Sequence, residues 1–203
     1  MKEEEKVPIQ MLHLKLPTDP RWVNIVEKNI DDILTDHAYC EQKAASTAIS
    51  FIIGFPDHTE LVSEMSDLVI EEMSHFKMVH DLIIERGLHL GRERKDPYVH
   101  QLRFYFPKGG SRTESLVNRL LVAALIEGRS CERFRLLSEE LEDPKLKRFY
   151  RKLMISEAGH YTMFLNFARK YGDRKIVDKK WQELLDFEAQ VMKDLSKGET
   201  IHG

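Results

Sequence analysis

Four amphipathic stretches of this chain carry a carboxylate in the middle of the stripe that should form their apolar core. That feature limits the fold more than any other. Followed at steps of three and four residues, which keep side chains on one helical face, the first stripe runs Ile30, Leu34, His37, Glu41, Ala44, Ala48, Ile52. The second runs Leu61, Met65, Leu68, Glu72, His75, Val79, Leu82. The third is Leu116, Leu120, Ala123, Glu127, Ser130, Phe134, Leu137, Leu141, and the fourth Leu146, Tyr150, Leu153, Glu157, His160, Phe164, Phe167, Tyr171. An unpaired buried carboxylate costs several kcal/mol even after relaxation, and four in one core would repel one another. A pair of divalent cations supplies the missing charge, so the pattern points to metal on physical grounds.

Punctuation along the chain sets the helices. Asp19-Pro20 offers an N-cap followed by proline in the first turn, and Gly54-Phe55-Pro56 is a stop. Asp57 can cap a second helix that ends near Gly87. Periodicity fades over Leu88–Gly110, where Pro97, Pro107, Gly109 and Gly110 fall. Ser111 and Glu114 form a capping-box pattern, Asp143-Pro144 repeats the Asp-Pro device, and Gly172 ends that helix. The expected helices cover about 20–53, 58–87, 112–141 and 144–171, with an extra amphipathic one at about 177–195. The expectation is a single all-α domain over residues 1–203, two helical hairpins joined by one long crossover. Bundles with one long connection between the second and third helices are ferritin-like, whereas up-and-down bundles keep every loop short.

The heights of the carboxylates agree. Glu41 lies 14 residues before Phe55 and Glu72 lies 17 after it, while Glu127 and Glu157 each lie 15 residues from Glu142. At roughly 1.5 Å per residue, each pair sits at one depth of an antiparallel hairpin. The separations of 31 and 30 residues make the ligand plan an internal repeat. A lone Glu-x-x-His is weak, since roughly one match is expected by chance in a chain of this composition. Three occur: Glu72/His75, Glu157/His160 and Glu199/His202. The third follows Gly198 on no apolar stripe and reads as the chance match. Glu132, the competitor for Glu127, is five residues on and about 140° around the helix, off the stripe. The candidate metal ligands are therefore Glu41, Glu72, His75, Glu127, Glu157 and His160.

Four carboxylates with two imidazoles suit iron or manganese better than zinc or copper. Each histidine should donate its second nitrogen to an outer acceptor. Asp36 and His37, near Glu41, and Tyr161, beside His160, are candidates for that outer layer, and core packing is the plainer role for His37 and Tyr161. Cys40 and Cys131 make no zinc-finger or redox spacing and read as reduced core thiols. No stretch reaches the length of a membrane span and the charged Met1–Lys6 start is followed by no apolar signal core, so a cytoplasmic chain without membrane contact is expected. The net charge of −3 weighs against a general nucleic-acid coat protein but leaves room for a local basic face.

Several local words are more specific. The segments Leu34–Ala45 (LTDHAYCEQKAA), Glu71–Phe76 (EEMSHF), Leu121–Phe134 (LVAALIEGRSCERF), Ser156–Tyr161 (SEAGHY) and Leu16–Trp22 (LPTDPRW) resemble the tRNA isopentenyladenosine hydroxylases of the MiaE type. These belong to the ferritin-like di-iron carboxylate superfamily. The resemblance covers nearly the whole chain with every ligand position present; Gly128 and Gly159 stand where alanine is expected. It implies two iron ions, dioxygen as co-substrate, an external electron donor or reductase, and hydroxylation of the isopentenyl group of 2-methylthio-N6-isopentenyladenosine beside the anticodon of tRNA. A grip on the anticodon stem-loop would use basic clusters, here Arg92, Arg94 and Lys95, then Lys108 and Arg112, then Lys145, Lys147, Arg148, Arg151 and Lys152. Each cluster taken singly also reads as an ordinary solvated face. Tyr98, Phe104 and Tyr105 in the crossover are candidates for stacking or a lid. The rival readings are a ferritin- or rubrerythrin-like oxidase or peroxidase, a di-iron hydroxylase of another C–H substrate such as a fatty-acyl chain, and a non-catalytic helical scaffold.

Overall fold

A computed structural model of the chain describes residues 12–107, 109–195 and 201, and these contain seven α-helices and no strand. Contacts divide the chain into two compact units.

One unit runs from residue 21 to 97 and takes in Ile201. It holds α1 (Trp22–Lys28), α2 (Ile30–Gly54) and α3 (Thr59–Glu85), with α2 and α3 paired as a hairpin. The single helix expected over about 20–53 is in fact two. The chain breaks at Asn29 (φ −129°, ψ 34°), whose Nδ2 donates to the Ile25 carbonyl at 2.9 Å. Asparagine side chains compete with the backbone for hydrogen bonds, and no glycine or proline announces this break. Nor does Asp19-Pro20 open the helix, which starts at Trp22 behind Arg21 without a side-chain cap. His58 takes the N-cap position of α3, also without a side-chain cap, in place of the expected Asp57. Along α3 one buried row runs Leu61, Met65, Leu68, Glu72, His75, Val79 and Leu82, spaced alternately by four and three, with Ile83 buried beside it. Each buried aliphatic side chain contributes roughly 1.5–3 kcal/mol, and the two polar positions sit inside that apolar row.

The segment after α3 is neither helix nor free loop. Residues 88–96 lie along the polar face of α2 at positions spaced by three and four. Arg94 pairs with Asp32 at 2.7 Å, the Gly91 amide faces Thr35 Oγ1 at 3.4 Å, the Tyr39 hydroxyl donates to the Gly91 carbonyl at 3.0 Å, and Lys43 pairs with Glu93 at 3.0 Å. A Cβ at Gly91 would stand 3.1 Å from Thr35 Cγ2, which explains the glycine.

The other unit takes in residues 12–20 and 98–195. Its helices are α4 (Pro97–Arg103, from Tyr98 on), α5 (Arg112–Glu140), α6 (Pro144–Tyr171) and α7 (Arg174–Asp194). α4 was not expected. Pro97 reads as a breaker, yet it occupies the first helical position, where a missing donor is tolerated. The caps of α5 and α6 are as the sequence predicts: Ser111 and Glu114 form a reciprocal capping box, and Asp143 accepts from the Lys145 and Leu146 amides ahead of Pro144. α7 begins at Arg174, a few residues early, because Asp173 caps it through the Lys175 and Ile176 amides. α5 and α6 form the second hairpin. α6 buries Leu146, Tyr150, Leu153, Glu157, His160, Phe164 and Phe167 on one stripe, whereas α5 is buried nearly all round.

Candidate metal centre

On the first hairpin, α2 presents Glu41 and α3 presents Glu72 and His75, three residues apart and hence on one face. All three are buried, Glu72 completely, and one ligand atom from each lies within 4.8 Å of the others. His75 Nδ1 is 3.5 Å from Glu72 Oε2 and 3.7 Å from Glu41 Oε2. Its other nitrogen, Nε2, is 3.8 Å from the half-exposed Glu71. Burial pushes the Glu41 carboxyl well above the usual carboxylate range; the His75 hydrogen bond opposes that rise and the Glu72 charge adds to it. Burial lowers the His75 imidazole, but hydrogen bonds and charge attraction from Glu41 and Glu72 outweigh it and raise the group to about 10. Two carboxyls and an imidazole crowd together here away from water, a donor set that fits a divalent cation.

The second hairpin repeats the plan. Glu127 comes from α5, Glu157 and His160 from α6; all are buried and again offer ligand atoms within 4.8 Å of one another. His160 Nδ1 lies 3.7 Å from Glu157 Oε2. Burial raises the Cys40 thiol and pushes Cys131 up to about 12. Cys131 donates to the Met154 carbonyl, and neither cysteine forms a disulfide.

The outer candidates separate. His37 is fully buried with Nε2 2.6 Å from Glu41 Oε1. Asp36 accepts instead from the Ile201 amide at 2.7 Å. Tyr161 donates to the Leu12 carbonyl at 3.4 Å and packs against Trp181 with ring centroids 6.0 Å apart. Its ring also explains Gly128, where a Cβ would come within 3.2 Å of it. A Cβ at Gly159 would meet no other side chain within 4 Å, so the structure offers no reason for glycine there. Glu132, the competitor for Glu127, accepts from the Thr18 amide and hydroxyl at 3.0 and 2.6 Å and pairs with Arg129 at 3.1 Å.

That last contact belongs to a buried cluster that sequence reasoning missed. Arg129 is fully buried, donates to Glu188 Oε1 through Nε at 2.9 Å and Nη2 at 2.5 Å, and reaches the Leu16 carbonyl at 2.9 Å. Tyr98 completes it with a 3.1 Å hydrogen bond to Glu188, so its ring is not available for stacking as expected. Leu16 and Glu188 lie 113 and 59 residues from Arg129, and Thr18, 3.3 Å from its Nη1, lies 111 away, so no local spacing betrays them. Phe104 is exposed, and Tyr105 packs on Phe187 with centroids 4.6 Å apart.

Of the basic candidates, Arg92, Arg94, Lys95, Arg112, Lys145, Arg148 and Lys152 are exposed, and Lys147 and Arg151 half-buried. Arg94 is held by Asp32. Lys108 and the third motif, Glu199/His202, lie outside the described residues. No helix among the described residues is long and apolar enough to cross a membrane.

Two helical hairpins, each bearing a buried carboxylate–imidazole triplet, define the class: an all-α, ferritin-like protein with the donor set of a di-iron centre. A solved structure of that class, "Protein 43 with aldehyde deformylating oxygenase activity from Synechococcus", matches with a TM-score of 0.87 and 30% identity over 94% of this chain and 95% of its own. Within the class, the chain belongs to the tRNA-(MS[2]IO[6]A)-hydroxylase (MiaE) family, whose model matches residues 5–203. It is an enzyme. A tRNA 2-(methylsulfanyl)-N(6)-isopentenyladenosine(37) hydroxylase from Pseudomonas putida is 40% identical over 160 residues, 79% of this chain and 77% of the relative. The Salmonella typhimurium protein of the same name is 28% identical over 212 residues, covering 77% and 75%.

Proposed function

We propose that the two triplets together hold two iron ions in one functional domain, and that the enzyme hydroxylates the isopentenyl group of 2-methylthio-N6-isopentenyladenosine in tRNA. The observation that carries this is the duplicated, buried Glu/Glu-x-x-His plan in a chain of this family. Its relatives are named for that reaction. When bound, a di-iron centre would activate dioxygen so that one oxygen atom enters a C–H bond and the other leaves as water, with two electrons from an external donor and two protons from solvent.

The protein's residues supply the rest. Glu72 with His75 and Glu157 with His160 each anchor one iron, and Glu41 and Glu127 complete the set. Burial of all six keeps bulk water from the donor atoms, so the reacting methyl group meets a dry site. The exposed basic residues Arg92, Arg94, Lys95, Arg112, Lys145, Arg148 and Lys152, with half-buried Lys147 and Arg151, offer contacts for the phosphates of an anticodon stem-loop. The reaction belongs in the cytoplasm, where tRNA and a reductase are both at hand.

The test is a single-turnover assay on iron-loaded protein with dioxygen, a chemical reductant and tRNA carrying the isopentenylated nucleoside. Digestion and mass spectrometry should find a nucleoside heavier by one oxygen, and the Glu127→Ala variant should produce none. An unmodified nucleoside from wild type with a reducible iron centre would refute the substrate and favour another C–H bond.

A further inference from the structure

Phe104, Tyr105 and Phe106 follow one another directly after α4, and the last two wall a pocket. It has a volume of about 430 Å³, lies within one compact unit, and is bounded further by Glu114 and Asn118 of α5 and by Lys180 and Glu183 of α7. Phe104 beside it leaves 61% of its surface in water. The Lys180 ammonium stands 5.7 Å from the centroid of the Phe106 ring and donates to Asn118 Oδ1 at 2.9 Å. An ammonium only donates, so this contact orients the amide and leaves Asn118 Nδ2 as a donor. Glu114 is committed to the capping box, where it accepts from the Ser111 amide at 3.0 Å. Glu183, 3.7 Å from Lys179, is exposed and is the second acceptor of the pocket. Asn118 precedes Glu127 by nine residues, which is about 14 Å along α5 and on its opposite side. The pocket is therefore separate from the ligand triplet of that hairpin.

We propose that this pocket binds an unpaired nucleobase of the RNA substrate, one other than the base that reacts. The inference rests on the RNA reading given above. Single-stranded RNA is gripped by stacking its bases on aromatic side chains and by hydrogen bonds to their edges. A base is planar, apolar on its faces and polar on its edge, and the volume of the pocket is that of a small-ligand site. Tyr105 and Phe106 supply the aromatic surface. Asn118 Nδ2 meets a ring nitrogen or carbonyl and Glu183 an N–H group, the two kinds of group that a base edge carries. Lys180 adds positive charge for the attached phosphate, and the exposed Arg103 and Arg112 flank the aromatic loop on either side. A base stacked and paired inside a duplex could not enter, so the site selects a loop.

The test measures, by fluorescence anisotropy, the affinity of the full chain for a labelled anticodon stem-loop RNA carrying the isopentenylated adenosine. Wild type is compared with Phe106→Leu (ring lost, apolar bulk kept) and Asn118→Ala (edge donor lost). Each variant should bind about 5-fold or more weakly, the usual effect of losing a stacking or edge contact. Abasic nucleotides are then placed in turn at the other loop positions. One of them should weaken wild type by a similar factor and cost F106L nothing further, which a merely structural loss would not produce. Variants that bind as tightly as wild type would overturn the proposal, as would abasic positions that all weaken F106L as much as wild type. Adenosine and cytidine monophosphates are titrated against the same proteins. A mononucleotide that binds wild type but not F106L, with RNA affinity unchanged, would assign the pocket to a free nucleotide and overturn the proposal. Wild type that binds no stem-loop would bring down the RNA reading, and the proposal with it. Wild type that binds and hydroxylates the RNA while both variants bind it equally well would overturn the pocket alone.

Discussion

Arg129 shows what a single buried charge does in this chain. It has no exposed surface and sits between two carboxylates, Glu188 and Glu132. Removing one partner of a buried ion pair leaves an uncompensated charge and costs about 3–5 kcal/mol. The R129M variant should therefore lose stability of that order in urea unfolding of the metal-free protein. R129M/E188M should recover much of it, since Glu132 keeps its two bonds from Thr18. A full loss in the double variant would show that the cluster stabilises through packing rather than charge. Glu132 also illustrates how far helical phase reaches as evidence. Being about 140° from Glu127 excludes it from the stripe, but phase says nothing of the arginine and threonine that hold it.

Among the helices, α5 and α6 carry Gly128 and Gly159, the two glycines that stand where the family resemblance leads one to expect alanine. Glycine inside a helix costs roughly 0.5–1 kcal/mol relative to alanine. At exposed Gly159 an added Cβ meets nothing within 4 Å, so G159A should stabilise the protein by about that amount. At Gly128 the same methyl would press to 3.2 Å from the Tyr161 ring, so G128A should bring no gain. Thermal unfolding of the two variants side by side checks the contrast; equal gains would mean the Tyr161 ring yields freely. Element boundaries follow the same division. The capping box at Ser111 and the Asp143-Pro144 start are local chemistry and stand where the sequence puts them. The break at Asn29 is marked by no glycine or proline, and α4 lies in a stretch whose prolines and glycines read as loop, so the local pattern predicts neither.

For the molecule as a whole, metal and protons compete. Without metal, His75 is raised from an ordinary 6.5 to about 10, so its stabilisation is complete below the lower value and lost as pH climbs through the higher. Glu41 is also raised: the folded protein keeps a proton that the unfolded chain releases above about 4.5, and its contribution likewise falls with rising pH. Bound metal must displace a proton from this coupled Glu41–His75 pair, so its affinity rises with pH. Calorimetry between about pH 6 and pH 9 should show the Tm of metal-free protein falling while the increment from added cobalt(II) grows. An increment independent of pH would contradict this proton accounting.

The helical class, the two-hairpin plan and the six candidate ligands follow from sequence because each depends on local spacing: apolar residues every three or four positions, caps within one turn, and carboxylates at matched distances from the turns. The family words in Leu34–Ala45 and Leu121–Phe134 add the substrate class on the same local basis. Only the tertiary structure could place Thr18, Tyr98 and Glu188 around Arg129, lay residues 88–96 along α2, and set Glu41 Oε1 against His37. Partners more than a hundred residues apart leave no periodic trace. Even at four residues' spacing, sequence cannot say whether two side chains meet or which oxygen is bound. Rotamer and packing decide that.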